Sequence, residues 1–367
     1  LDVTYSFAGQ PRVDKLENYV LENEQIKVEF DTQKGVITSL VDKKTGTEYI
    51  DEPAGIFRFI KEDESGGGTA WRVGRYKEVE SIHKDVKIRW KHQNGDLRKS
   101  IIIKTDFMDS NLKAEIFLDK ESSRINYKVE CDWQEKGKPG KYVPQLNFYV
   151  PFNYECENYK YDIPMGTIVR KGMNRDVPAN SLVVGENKKD QKSLMMNSQS
   201  KYGFRSVDNS MALTLIRGTY DPDPYPELGK HEINFSLVLV DNKNNRELLE
   251  TSYEYNHDLN VVSTKAHQGT LPTSESLFSI EGNIALSSIK QPENLEDREN
   301  IIMRLFETEG SKNDVVLNFA FKVKDSYFVD INENKIDLDS NIEIDGNKVS
   351  FDTIPNSVMN LFIEFDY

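Results

Sequence analysis

The chain is 367 residues long and carries 61 Asp and Glu against 47 Lys and Arg, a formal net charge of −14. That surplus repels phosphate and anionic lipid, so neither nucleic acid nor a membrane surface is an expected partner. No run approaches the roughly 18 apolar residues of a spanning helix. Two cysteines, Cys131 and Cys156, can make neither a disulfide framework nor a C-x-x-C metal knuckle; reduced, part-buried thiols and a cytoplasmic location are expected.

Residues 1–20 show little periodicity, carry Pro11 and read as a lead-in or linker. The opening LDVTYSFAGQ has no initiator Met and no signal-peptide pattern, as expected of a processed chain or a piece of something longer. From Leu21 to Asp51 the pattern sharpens. Ile26, Val28 and Phe30 alternate with polar residues, the period of two of a half-buried strand. Asp31 to Gly35 and Asp42 to Gly46 each open on Asp and close on Gly, and join three strands into a meander. Ile56 to Lys61 is another strand, and it runs into Glu62-Asp-Glu-Ser-Gly-Gly-Gly-Thr69. No Gly-Lys-Ser/Thr follows that glycine run, so it reads as a mobile surface loop rather than a phosphate cradle.

Tyr76 to Glu130 is β throughout, with strands about a dozen residues apart, the spacing of a large sandwich or barrel. Tyr149 to Gly203 is looser and richer in Pro, Asn and Gly, and is expected to hold long functional loops. Strands resume at Met211 and Ile233, separated by the proline-stiffened Asp221-Pro-Asp-Pro-Tyr-Pro226. Asn242 to Asn256 is the one expected helix, with Asp241 as its N-cap. Gln291 to Asn300 is charged and poor in apolar residues, and serves as the domain boundary. Beyond it a small all-β unit ends after a hairpin at Asp345-Gly-Asn347. The expected division is therefore a lead-in over 1–20, a large β-domain over 21–295 and a terminal β-unit over 296–367.

Several stretches carry a likeness. Leu-Glu-Asn-Glu24, a strand ending in Glu-Phe-Asp31, and Asp42-Lys-Lys-Thr-Gly46 resemble the start of the C-terminal β-domain of family 38 glycoside hydrolases, the α-mannosidases. Val150-Pro-Phe152 with Tyr161-Asp-Ile-Pro-Met-Gly166, and Asn197-Ser-Gln-Ser-Lys-Tyr-Gly-Phe204, are similar to later segments of that family. Leu213 to Gly218, Pro222-Asp-Pro224, Gly229 to Phe235 and Arg304 to Gly310 follow in family order. Two places depart from the pattern: Gln199 stands where the family has Asp or Ser, and Glu227-Leu-Gly229 where it has Asp-x-Gly.

The resemblance implies an all-β fold, a large antiparallel supersandwich of the galactose-mutarotase type followed by a small C-terminal β-sandwich unit. It implies retaining hydrolysis of α-mannosides by an enzyme whose catalytic barrel and helical bundle hold the nucleophile and a divalent metal, zinc. Neither barrel nor bundle lies in this sequence, so no catalytic residue and no metal ligand is assigned to the chain. Its partners would be that barrel and bundle, together with an α-mannoside or other glycan; an oligomer stays open. The expected contributors to the rim of a carbohydrate site are Lys201, Tyr202, Arg205 and Trp71, with His231 and Arg304 as structural polar anchors.

Two rival readings remain. One is a stand-alone carbohydrate-binding protein; the other is a mutarotase-like epimerase, which needs a histidine pair and a Glu converging on one sugar. His83-Lys-Asp85 matches the H-x-D metal pair of α-mannosidase barrels, but it leads into a strand and has Ile88 where a tryptophan is due, so it is read as chance. With so many carboxylates, linear spacing cannot single out the pair set about 5–5.5 Å apart that a retaining glycosidase requires.

Overall fold

Alternation of apolar and polar residues builds this protein strand by strand. In Ile26–Phe30 the odd positions Ile26, Val28 and Phe30 would each face one side, and in fact Ile26, Val28 and Phe30 are all buried while Lys27 and Glu29 stand half in solvent. The computed structural model describes residues 18–92, 94–189, 192–223, 227–241, 244–270, 272–294 and 299–366. The expected lead-in therefore falls largely outside the described residues, as do Pro224 to Pro226 and part of the boundary stretch. The chain forms two compact units. One takes the described residues up to Asn153 together with Leu215–Asn234; the other takes Tyr154–Thr214 and Phe235 onward.

The first unit opens with the meander, which gains a strand: Tyr19–Glu22 pairs with Ile26–Phe30, followed by Ile37–Asp42 and Thr47–Glu48. Lys87–Trp90, Arg98–Phe107, Ser110–Asp119 and Arg124–Trp133 then form consecutive antiparallel ladders. A further ladder joins Val143–Pro151 to Ile56–Glu62 and that strand to Tyr76–Ser81. An aromatic seam fastens the two ladders. Phe148 meets Tyr127 at 4.7 Å and Phe57 at 5.1 Å between ring centres, and Trp133 lies 6.2 Å from both Phe59 and Phe107. Such edge and tilted pairs add to the burial of large apolar surface.

Tyr149 to Gly203, all but its first five residues in the second unit, proves to be mostly strand rather than long loop. Asn158–Ile163, Gly166–Lys171, Met173–Pro178, Leu182–Gly185 and Lys192–Ser198 occupy it. The reason is burial: Tyr159, Tyr161 and Leu182 to Val184 are inaccessible, and every side chain of Lys192–Ser198 after the first is buried. A strand covered on both faces has no alternation to display. Its prolines sit at strand ends, where no ladder hydrogen bond is lost.

The one helix among the described residues is Asn245–Asn256. Its cap is Asn244 rather than Asp241: the Asn244 side chain accepts from the Arg246 and Glu247 N–H groups. Leu248 packs with Leu182, Val184, Met195, Val238 and Val240, and Leu249 with Ala285 and Phe306. The terminal strands form two four-stranded sheets around one core that includes Met303, Leu305, Leu317, Phe351 and Leu361. The hairpin at Asp345-Gly-Asn347 joins Glu343–Asp345 to Lys348–Asp352. Two of these strands end at Phe319 and Val329, leaving Phe321 and Ile331 exposed.

Both cysteines are buried and unpaired, and burial pushes each thiol up to about 12, so neither is a nucleophile at neutral pH. Asn244→Ala removes the acceptor for two helix N–H groups and is expected to cost about 1 kcal/mol in urea unfolding, whereas Asn244→Asp retains it.

Candidate functional site

The first unit presents one loop whose construction is out of proportion to its length. It leaves the strand Ile56–Glu62, passes through the glycine run and returns at Tyr76. Glu62 is wholly buried, and every lone pair of its carboxylate is engaged. Arg217 donates to it twice, Nε to Oε1 at 2.8 Å and Nη2 to Oε2 at 2.7 Å. Gln145 Nε2 donates to Oε1 at 2.8 Å, and the Gly74 N–H donates to Oε2 at 2.9 Å. Arg217 Nη2 also reaches the Arg72 carbonyl at 2.8 Å, so one guanidinium grips both the foot and the returning limb of the loop.

Asp221 secures the outer limb. Its carboxylate accepts from the Gly68 N–H at 2.8 Å, and its carbonyl accepts from the Ala70 N–H at 2.8 Å. Thr69 Oγ1 takes the N–H groups of Tyr220 and Asp221. The expected mobile loop is thus tethered at each end. Its glycines have separate reasons. Gly67 and Gly68 adopt positive φ, and a Cβ at Gly74 would lie 2.0 Å from the Asp63 carbonyl oxygen. At the tip Trp71 is 80% exposed. Other residues of the loop line a cavity of about 250 Å³, among them Asp63, Glu64, Arg72 and Arg75, together with Val143. The Ser65 N–H, and after it the Ser65 hydroxyl, hold the Asp63 carboxyl at about 2, so this rim stays anionic.

The remaining expected residues fall elsewhere. Tyr202, in the second unit, is 58% exposed, and Lys201 is half-buried with its N–H on Ser198 Oγ. Arg205 is buried: Nε donates to Asp176 at 2.9 Å, and Thr214 Oγ1 donates to the other oxygen of the same carboxylate. Its guanidinium is committed to holding Met173–Pro178 against Gly203–Ser206. Arg304 Nε donates to Asn360 across the strand pair at 2.8 Å, and His231 Nε2 donates to the Glu227 carbonyl at 2.9 Å. Glu62, Arg217 and Asp221, which shape the loop, were not singled out by the sequence. A lone Glu ending a strand carries no signal that distinguishes it from a solvated one.

His83 is a core residue. Its Nδ1–H donates to the Lys34 carbonyl at 2.6 Å, its Nε2 accepts the Phe57 N–H at 2.9 Å, and its ring stacks on Phe57. Burial pushes the imidazole below its usual range and keeps it neutral. Among the described residues no three His, Cys, Asp or Glu side chains come together to hold a metal. Nor is a pair of histidines brought together with a Glu: His231 is the single histidine lining the groove that Glu130 and Glu232 also line.

The first unit thus presents an exposed indole on a tethered loop. Comparison gives the class of protein. The model for the glycosyl hydrolases family 38 C-terminal domain matches residues 21–225, and that for the family 38 C-terminal β-sandwich domain matches residues 283–359. The chain belongs to glycosyl hydrolase family 38, as its C-terminal region. It is similar to an α-mannosidase of Saccharomyces cerevisiae, 23% identical over 86% of this chain and 32% of the yeast protein. It is also similar to mouse α-mannosidase 2C1, 24% identical over 94% of the chain and 33% of that protein. It spans about a third of the length of these curated relatives. The crystal structure of an α-mannosidase from Enterococcus faecalis superposes with a TM-score of 0.73 at 16% identity, covering 94% of this chain and 42% of that one, which shows the shared fold.

Two outcomes check the site's construction. Glu62→Gln breaks a buried pair and is expected to destabilise the chain by about 3–5 kcal/mol in urea unfolding, while Trp71→Ala stays within about 0.5 kcal/mol of the parent. His83 has a lowered folded-state value, so the unfolded state binds the extra proton. Stability is therefore expected to fall as pH drops from about 6.5 through the His83 value, and His83→Gln should flatten that limb of a melting-temperature profile.

Proposed function

We propose that this chain is the C-terminal β-portion of a retaining α-mannosidase, packing on a catalytic barrel and helical bundle that lie outside it and lending the Trp71 loop to the rim of the sugar site. The observation that carries the reading is the loop itself. An indole exposed to four-fifths of its surface, held out by a buried ion pair and the Asp221 tether, has no role in the fold it sits on. A flat apolar face of this kind suits the C–H surface of a pyranose, while Asp63 and Glu64 beside it can accept from hydroxyl groups. The names of the relatives supply the substrate class, α-mannosides. Tyr202 and Lys201 are further rim contributors in this proposal.

Chemistry falls to the barrel, where the proposal also places the nucleophilic carboxylate and zinc; no step is routed through residues of this chain. No helix of the described residues is long and apolar enough to cross a membrane. Two buried, unpaired thiols favour a reducing compartment, and we place the protein in the cytoplasm.

Hydrolysis of 4-nitrophenyl α-mannoside tests the reading. The chain alone, with or without added zinc, is expected to be inactive, and joining it to an upstream catalytic region restores turnover. In that active enzyme Trp71→Ala should raise KM about tenfold, worth about 1.4 kcal/mol, with kcat changed far less. Turnover by the chain alone overturns the assignment of catalysis to the barrel. Saturable glycan binding with no gain of activity on joining the two regions favours a stand-alone carbohydrate-binding protein.

A further inference from the structure

A groove of about 520 Å³ lies on the solvent face of the first unit, across the strands Lys87–Trp90, Arg98–Phe107, Ser110–Asp119 and Arg124–Trp133. Strand register orders its floor into two rows. Lys87 faces Lys104, Lys104 faces Lys113, and Lys113 faces Glu130. Two residues along each strand, on the same face, Asp106 faces Asn111 and Asn111 faces Asp132. The rows are about 6.8 Å apart, at about 3.4 Å per residue. Lys230 and Glu232 flank the groove from the strand Gly229–Asp241.

Three lysines directly opposite one another across adjacent strands repel, and a sheet assembled for stability alone would interleave the signs. The obvious remedy is not used. Of the three, only Lys113 is held in an ion pair, to Glu130 at 2.7 Å, among the described residues. The ammonium groups of Lys87 and Lys104 and the carboxylate of Asp106 keep free hydrogen-bonding capacity at the floor of a concave surface. The charge balance then selects the ligand. An anion would meet the carboxylates of Asp106, Glu130 and Asp132, and a cation would meet the lysines. A neutral polyol meets neither objection, because each hydroxyl both donates and accepts.

We propose that this groove is a carbohydrate-binding subsite that takes a hexose unit of a neutral glycan, with the lysine row donating to its hydroxyl groups and the Asp106–Asn111–Asp132 row accepting from them. It is distinct from the Trp71 loop in residues and in chemistry, since its lining holds charged and polar side chains with His231 and contains no Trp, Tyr or Phe. The inference does not rest on the α-mannosidase reading, and its test reads binding rather than hydrolysis.

Saturation-transfer NMR and calorimetry of the whole chain, titrated with the methyl α-glycosides of mannose, glucose and galactose and with inorganic phosphate, test it. In a Trp71→Ala background, which removes the loop's contribution, saturable binding of at least one glycoside is expected, weakened about tenfold or more by Lys104→Met with Asp132→Asn. The single variant Asp106→Asn, with its β-sheet circular dichroism intact, should weaken binding in the same direction. Three results overturn the proposal: no saturable binding of any glycoside, binding that the groove variants spare, or saturation by phosphate alone.

Discussion

The carboxylate of Glu62 governs the first unit. A buried carboxylate costs several kcal/mol in lost hydration and is tolerated only when its oxygens are fully paired. Its partners come from the chain at Gly74, Gln145 and Arg217, the last of these 155 residues away in sequence. Satisfying one oxygen pair therefore fixes a strand end, the return of a loop and the arrival of a distant segment together. Hydrogen bonds extend this order across the sheet. Tyr76 donates to Gln145, Asn147 donates to Tyr76, and Arg58 donates to Asn147 while lying over the Tyr149 ring. In such a network each member's position depends on its neighbours being satisfied. Rigid presentation of Trp71 follows from this: the loop needs no apolar contact from the indole because Arg217 and Asp221 already define its path.

What the sequence revealed and what it hid divide along physical lines. Strands with one wet face announced themselves, as in Ile26–Phe30 and Ser110–Asp119, because alternation is written residue by residue. Strands covered on both faces did not; Lys192–Ser198 mixes Ser, Met and Asn with no period, and its burial comes from layers packed over it, as where Met195 meets Leu248 of the helix. The helix was legible from its apolar face, but its start was not, since Asp241 and Asn244 are both able caps and only the backbone angles at Asn244 decide between them. Trp71 could be suspected from the glycines before it. Arg205 could not be distinguished from a ligand-binding arginine, because its partner Asp176 lies 29 residues away with no pattern linking them.

The family likeness rests on spacing and order more than on identity, and the departures from it are instructive. Gln199 reaches across to donate to the Tyr255 carbonyl at 3.1 Å, tying its loop to the last turn of the helix. At Glu227 the backbone carbonyl, not the side chain, receives His231. A side-chain change there leaves that bond intact. A fold can therefore persist at 16% identity to the Enterococcus faecalis protein because the elements that define it are ladder hydrogen bonds and apolar alternation, which many sequences supply.

The proposed roles of the loop and the groove would let one β-scaffold engage sugars in two ways. An exposed indole offers area and little direction: it accepts many pyranoses on their C–H faces, and its grip depends on something else to orient the ring. Rows of fixed donors and acceptors offer direction and little area, and each contact is made in exchange for one with water, so the net gain per contact is small. Neither surface alone suits tight recognition. A long, branched substrate changes that balance, because contacts made by remote sugar units add to those at the reacting bond without altering its chemistry. In the proposed enzyme such a region would help set which glycans reach the catalytic site, and the Glu62–Arg217 pair fixes the path of the loop that carries Trp71.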